Sequence, residues 1–200
     1  MIRAVVDGEL RQPAHSGEHG GCPLCGCSVV GRCGPIVVHH WAHFTARECD
    51  SWSEESEWHR HLKTTLAETL GGQVEVVMGT HPRRHFADVV IGDLVVELQA
   101  SYQSAETIAE REDFYGHMCW IYAADLFADR FHFGRHGFWL KHGPKSLLAH
   151  RRPIFVSNHS GTRFLEITRL NLVNGRMLGK YRVRPREAFL DHLTVAAKCA

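Results

Sequence analysis

The chain has 200 residues, 44% hydrophobic and 22% charged, a globular composition with room for one core and a small satellite. Its formal net charge of +1 by itself argues against a chain built to hold nucleic acid. No apolar run approaches the ~18–20 residues that span a bilayer, so no membrane segment is expected. The opening, MIRAVVDGELRQP, lacks a long apolar stretch behind its positive residue, so no secretory leader is expected either.

The whole-chain charge hides a division. Residues 1–129 hold 9 Lys and Arg against 19 Asp and Glu, a net of −10, whereas residues 130–200 hold 14 against 3, a net of +11. Three segments are expected: 1–50, rich in Gly, Cys and His; 51–150, alternating helix and strand signals; and 151–200, basic strands and a helix. The fold class expected is α/β, an α+β sheet core flanked by helices.

In the first segment, Cys22-x-x-Cys25 has the spacing of a zinc knuckle, and His40-x-x-His43 follows. Four ligands of this kind form a closed tetrahedral site, so a structural zinc is expected on Cys22, Cys25, His40 and His43. Cys33 and Cys49 are credible substitutes, and Cys27 is a weaker one. His39-His40 also raises a His-metal nuclease of the HNH type, but no partner Asn and His follows in a strand–helix context. Clustered cysteines without an export signal favour metal over disulfides.

In the middle segment, apolar residues at 58, 62, 66 and 70 predict an amphipathic helix over 53–70, ended by Gly71-Gly72. A strand is expected at 73–78. Ala87–Ile91 and Leu94–Ala100 read as two strands joined by Gly92-Asp93, a type II′ hairpin. Ser104 caps a helix to Tyr115, and 118–123 is a buried strand. Strand signals at 154–157 and 163–168 follow, then a terminal helix opening at Pro185.

The two-residue loop sets a register in which Asp88 faces Glu97, with Gln99 on the same face. Like charges opposite one another need compensation, and a divalent cation with a preference for hard oxygen would supply it. Asp88 and Glu97 are therefore candidate magnesium ligands. Glu55, His59 and Lys63 share one flank of the preceding helix, and Glu57 and His61 share the other. From there an acid could help bind metal, and His59 or Lys63 could contact phosphate or relay a proton. Arg111 and Tyr115, one turn apart on the next helix, could contact phosphate or hold the carboxylates.

These residues resemble the PD-(D/E)xK nuclease core, with Gln99 where Lys is usual. More specifically, the chain resembles the competence protein CoiA-like family. The stretches that carry this are Cys22-Pro-Leu-Cys25, His40-Trp-Ala-His43, Glu55-Ser-Glu-Trp-His59 with Lys63, Ala87-Asp88-Val, Val96-Glu-Leu-Gln99 with Ser101, Glu110-Arg111 with Tyr115, Trp120-Ile121 and Arg152-Pro-Ile-Phe155. The resemblance spans about residues 2–157. It implies an N-terminal zinc ribbon, a magnesium-dependent deoxyribonuclease and a cytoplasmic role in DNA uptake, recombination or defence. It also implies a catalytic group of Asp88, Glu97, Gln99, Glu57, His59 and Lys63. A non-catalytic DNA-binding protein that keeps the nuclease fold is the alternative. DNA is the expected partner, with Arg111, Tyr115, Lys141, Lys145, Arg151 and Arg152 as its contacts, and a homodimer is compatible with both readings.

Overall fold

The computed structural model describes residues 1–35, 39–44, 56–80 and 83–198. The fold is mixed α and β, with two sheets and three α-helices among the described residues. It divides into two compact units, Met1–Glu54 with Glu75–Ala87, and Glu55–Val74 with Asp88–Ala200.

In the first unit, β1 (Ala4–Val6), β2 (Glu9–Arg11), β3 (His19–Gly21), β4 (Ser28–Arg32) and β5 (His40–His43) form an antiparallel sheet in the order β2-β1-β3-β4-β5. Its core is small: Met1, Ala4, Cys22, Leu24, Val29 and Trp41, with Val77 and Phe86 packed against it. Trp41 is fully buried, and its Nε1–H donates to the Arg11 carbonyl at 2.9 Å. A core of this size stabilises a fold weakly without a metal or a disulfide.

The larger sheet begins after α1 (Glu57–Leu70). Its strands are β6 (Gln73–Thr80), β7 (Arg83–Ile91), β8 (Leu94–Gln99), β9 (Met118–Ala123), β10 (Phe131–Gly134), β11 (Gly137–Leu140), β12 (Ile154–Ser157), β13 (Arg163–Val173) and β14 (Arg176–Pro185). Their order is β10-β11-β14-β13-β12-β9-β8-β7-β6. Helix α2 (Ala105–Tyr115) crosses between the parallel strands β8 and β9, and α3 (Arg186–Ala196) closes the chain. Residues 151–200 do not stand apart: β12 to β14 extend this sheet, and Phe189 and Leu193 of α3 join its core.

Local chemistry accounts for the main elements. The Ser56 hydroxyl caps α1 by accepting from the His59 N–H at 3.2 Å, so the helix starts at Glu57. The expected start at 53, and Glu55 with it, lie outside the described residues. Ser104 caps α2 in the same way through the Thr107 N–H. Gly92 takes φ 60°, as the first position of a type II′ turn requires, and the hairpin pairs Ile91 with Leu94, Val90 with Val95 and Val89 with Val96. One face of the sheet, including Val89, Val96, Leu98, Ile121 and Phe155, packs on Trp58, Leu62 and Leu66 of α1 and on Phe189. Each such side chain contributes about 1.5–3 kcal/mol on burial.

The opposite face carries buried polar groups. Glu112 of α2 accepts from the Trp120 indole N–H at 3.0 Å and from the backbone N–H groups of Arg151 and Arg152. His150 Nδ1 lies 3.3 Å from Glu112, and its Nε2 lies 2.9 Å from the Tyr122 hydroxyl. A neutral imidazole with its proton on Nδ1 satisfies all three groups, with the hydroxyl donating to Nε2.

Two expectations follow. Replacing Glu112 with Ala strands several buried donors, and urea unfolding should show a loss of roughly 3–5 kcal/mol. The second concerns pH. Burial holds the His150 imidazole below its ordinary pKa, against the pull of Glu112. The unfolded chain takes up that proton near pH ~6.5. The His150 contribution is therefore complete above that pH and is lost as pH falls toward the lower folded-state value. The fall in melting temperature between about pH 7.5 and 5.5 should be shallower for His150→Phe than for the wild type.

Candidate active site and metal centre

The β7–β8 ladder runs from the turn only as far as Val89 and Val96. The next residue on β7, Asp88, turns its Oδ2 to accept from the Leu98 N–H at 2.8 Å instead of continuing the ladder opposite Glu97. Its Oδ1 lies 3.1 Å from His59 Nε2 of α1. Burial alone would push the Asp88 carboxyl up. His59, the Leu98 N–H and the Lys63 charge outweigh it and hold the group below its usual value. Asp88 is therefore an ionised carboxylate, paired from α1.

Glu97 is the next charge. It sits on a strand with neighbours on both sides and is 1% exposed. Arg111 of α2 reaches its Oε2 at 3.0 Å and also approaches the Tyr115 hydroxyl at 3.5 Å. Gln99 Nε2 lies 3.5 Å from the same Glu97 oxygen, and the Gln99 carbonyl oxygen accepts from Gln103 Nε2 at 2.7 Å. Gln99 is thus held with its amide directed at the carboxylate.

Of the expected catalytic residues, Asp88, His59 and Lys63 come together on one side, and Glu97, Gln99 and Arg111 on the other. Lys63 is buried, at 1% exposure, so its charge acts on Asp88 and is not presented to solvent. Glu57 is exposed in the first turn of α1. Two residues from His59, it projects about 200° around the helix and points away from Asp88. Tyr115 is buried, and Arg111 is committed to Glu97, so these two position the carboxylate and are not open phosphate contacts. Arg151 is committed as well, to Glu112 and to Asp113 at 2.7 Å. Lys141, Lys145 and Arg152 are exposed.

The first unit holds a second cluster. Cys22, Cys25 and His43 bring their ligand atoms within 4.8 Å of one another, the one group of three or more metal-ligating side chains so gathered among the described residues. The knuckle is closed by the Cys22 N–H on the Cys27 carbonyl and the Gly26 N–H on the Cys22 carbonyl, both at 2.8 Å. It joins β3 to β4, and β5 pairs Val29 with His43, which sets that imidazole beside the knuckle. Cys25 Sγ lies 3.4 Å from His43 Nε2. Burial raises the Cys25 thiol, but hydrogen bonds from the Cys27 backbone, His43, Cys22 and the Cys27 thiol lower it to about 6.

His40 does not join this cluster. It pairs with Arg32, at the other end of β5. Residues three apart on a strand point to opposite faces and lie about 10 Å from one another. His-x-x-His reads as a ligand pair only where the chain turns between the two. Cys33 is also elsewhere: its thiol faces the Pro13 carbonyl at 3.6 Å and its backbone bonds Ser16. Cys27, ranked below Cys33 from sequence, has a thiol that reaches Cys25, as that of Cys22 does. Cys49 lies outside the described residues.

Two groups escaped the sequence reading. Glu112 follows Arg111 on α2 and gave no signal, since an acid there looks like part of a solvated helix face. The β13–β14 hairpin did carry one: Asn174-Gly175, the strongest short-range mark of a hairpin, with φ 49° and 75°.

No family model matches the chain, and neither does any curated protein or solved structure.

The donors that the zinc expectation names can be separated by experiment. Cys25→Ser and His43→Ala should lose bound zinc in metal analysis of the purified protein, whereas His40→Ala should keep it. Loss of zinc in His40→Ala with retention in His43→Ala would reverse the assignment.

Proposed function

We propose that the second unit is a metal-dependent DNA nuclease of the PD-(D/E)xK type, in a chain of the competence CoiA-like kind, with a structural zinc in the first unit. The observation that supports this is the pair of carboxylates matched at the end of the β7–β8 ladder: Asp88 by His59 and Lys63 of α1, and Glu97 by Gln99 of its own strand and Arg111 of α2. The element order, helix, three strands, helix and a strand parallel to β8, agrees with that core.

The donor chemistry fits both metals. Thiolates and an imidazole suit zinc, and two carboxylates suit magnesium. A divalent cation held by Asp88 and Glu97 would activate water and neutralise charge on the phosphate. Lys63 and the Leu98 N–H keep Asp88 ionised. With a cation on Asp88 Oδ1, His59 would turn from that oxygen toward phosphate or accept a proton. Gln99, steadied by Gln103, orients water but carries no charge. DNA uptake, recombination or defence in the cytoplasm is the setting this reading implies.

The second reading is a non-catalytic DNA-binding protein with the same fold. It is favoured by one observation: both carboxylates already have side-chain partners, Glu97 in Arg111 and Asp88 in His59.

Plasmid and single-stranded DNA, incubated with zinc-loaded protein with and without Mg²⁺ or Mn²⁺, separate the two. The nuclease reading expects cleavage only with the divalent ion and at least a ~100-fold loss in Asp88→Ala, since that variant removes a metal ligand. Cleavage unchanged in a folded Asp88→Ala protein would sink the site assignment. DNA binding without cleavage would favour the second reading.

A further inference from the structure

The sheet segment farthest from the ladder end has no part in the nuclease site. We propose that one face of β10, β11, β14 and β13 is a binding platform for single-stranded nucleic acid, which stacks a base on the outer face of His132, backed by Trp139, and tracks phosphates with Arg169, Arg176 and Lys180.

The register sets the face. His132 pairs with Trp139, and Trp139 with Leu178. Arg176, Lys180 and Arg182 alternate with Leu178 along β14 and so share its face. On β13 the ladder slips between Ile167 and Arg169, leaving Thr168 unpaired, and Arg169 then pairs with Lys180. Without this bulge, residue 168 would face Lys180's side and Arg169 the other. Bulges re-aim side chains in this way, and this one adds Arg169 to the face of Arg176 and Lys180.

Electrostatics and stacking select the occupant. Arg182 and Arg184 share Glu166, at 3.7 and 2.7 Å. Among the described residues Arg169, Arg176 and Lys180 have no carboxylate partner, and all three are exposed. His132 stacks on Trp139 with centroids 3.9 Å apart and planes 12° from parallel, and Arg176 lies over the Trp139 ring at 5.8 Å. His132, Trp139 and Arg176 therefore form a layered stack across three strands, with His132 on β10, the edge strand of the sheet among the described residues. Free bases stack on aromatic rings and on guanidinium planes. Paired bases in a duplex keep their faces hidden. A strip of unpaired cations beside a stack is complementary to a single strand, whose backbone is anionic and whose bases are open. The platform stands independently of the nuclease reading.

The test uses the 200-residue chain carrying Asp88→Ala in buffer without magnesium, so that cleavage plays no part. Anisotropy is measured with a labelled oligothymidine of about 12 nucleotides and with a duplex of equal length, over a range of salt. The single strand should bind more tightly and quench tryptophan fluorescence. Three phosphate contacts give a log–log salt slope of about −2, and Arg169→Ala with Lys180→Ala should reduce it by about 1.4. Trp139→Ala should weaken binding roughly 5- to 150-fold, and Trp139→Phe should restore much of it. Duplex bound as tightly as the single strand, or a slope unchanged in a folded double variant, would overturn the proposal. Neither outcome bears on the Mg²⁺-dependent cleavage of the wild type.

Discussion

Two carboxylates are buried between α2 and the larger sheet, and each has to be matched. An ionised carboxylate taken out of water is very costly unless it is paired and hydrogen-bonded. Arg111 answers Glu97, and Glu112 is answered by the Trp120 indole and by backbone N–H groups at 151 and 152. Arg111 and Glu112 are neighbours on α2. Arg111 fastens α2 to β8, and Glu112 fastens it to the segment entering β12. The same helix therefore fixes the orientation of Glu97 and the approach of the strand that follows. Asp88 is matched separately, from α1, where His59 and the buried Lys63 offset the cost of its burial.

This arrangement makes the ladder end a site of balanced charge. A like-charged pair on one hairpin would be unfavourable if the two carboxylates simply faced each other. The chain avoids that by ending the ladder at Val89 and sending Asp88 to the Leu98 N–H. Protein cations provide the compensation that the sequence alone suggested a metal would supply. A divalent ion must compete with them, which ties the proposed activity to how readily His59 gives up Asp88.

Much of this was legible in the sequence because it rests on local chemistry. The Ser104 cap, the i+4 apolar stripe of α1 and the Gly92-Asp93 turn each dictate their own few residues, and the structure has all three. Glu97 and Gln99 stood out as polar exceptions in an apolar strand, and holding the carboxylates was one of two roles open to Arg111 and Tyr115. What could not be read depends on distant pairing. The separation of His40 from His43 follows from β5 being extended, which its pairing with β4 decides. The committed state of Arg151 follows from Glu112, 39 residues away. The acidic-then-basic division resolves similarly. Part of the negative excess is buried and paired, and much of the positive excess lies on the β13–β14 hairpin, whose Asn-Gly turn was there to be read.

The measurement that bears most directly on the central claim is calorimetric titration of Mg²⁺ or Mn²⁺ into zinc-loaded protein. The account predicts one site that is filled in the wild type, is lost in both Asp88→Ala and Glu97→Gln, and is retained in His40→Ala. A wild-type protein that takes up no divalent ion, or one whose site survives both carboxylate substitutions, would contradict it.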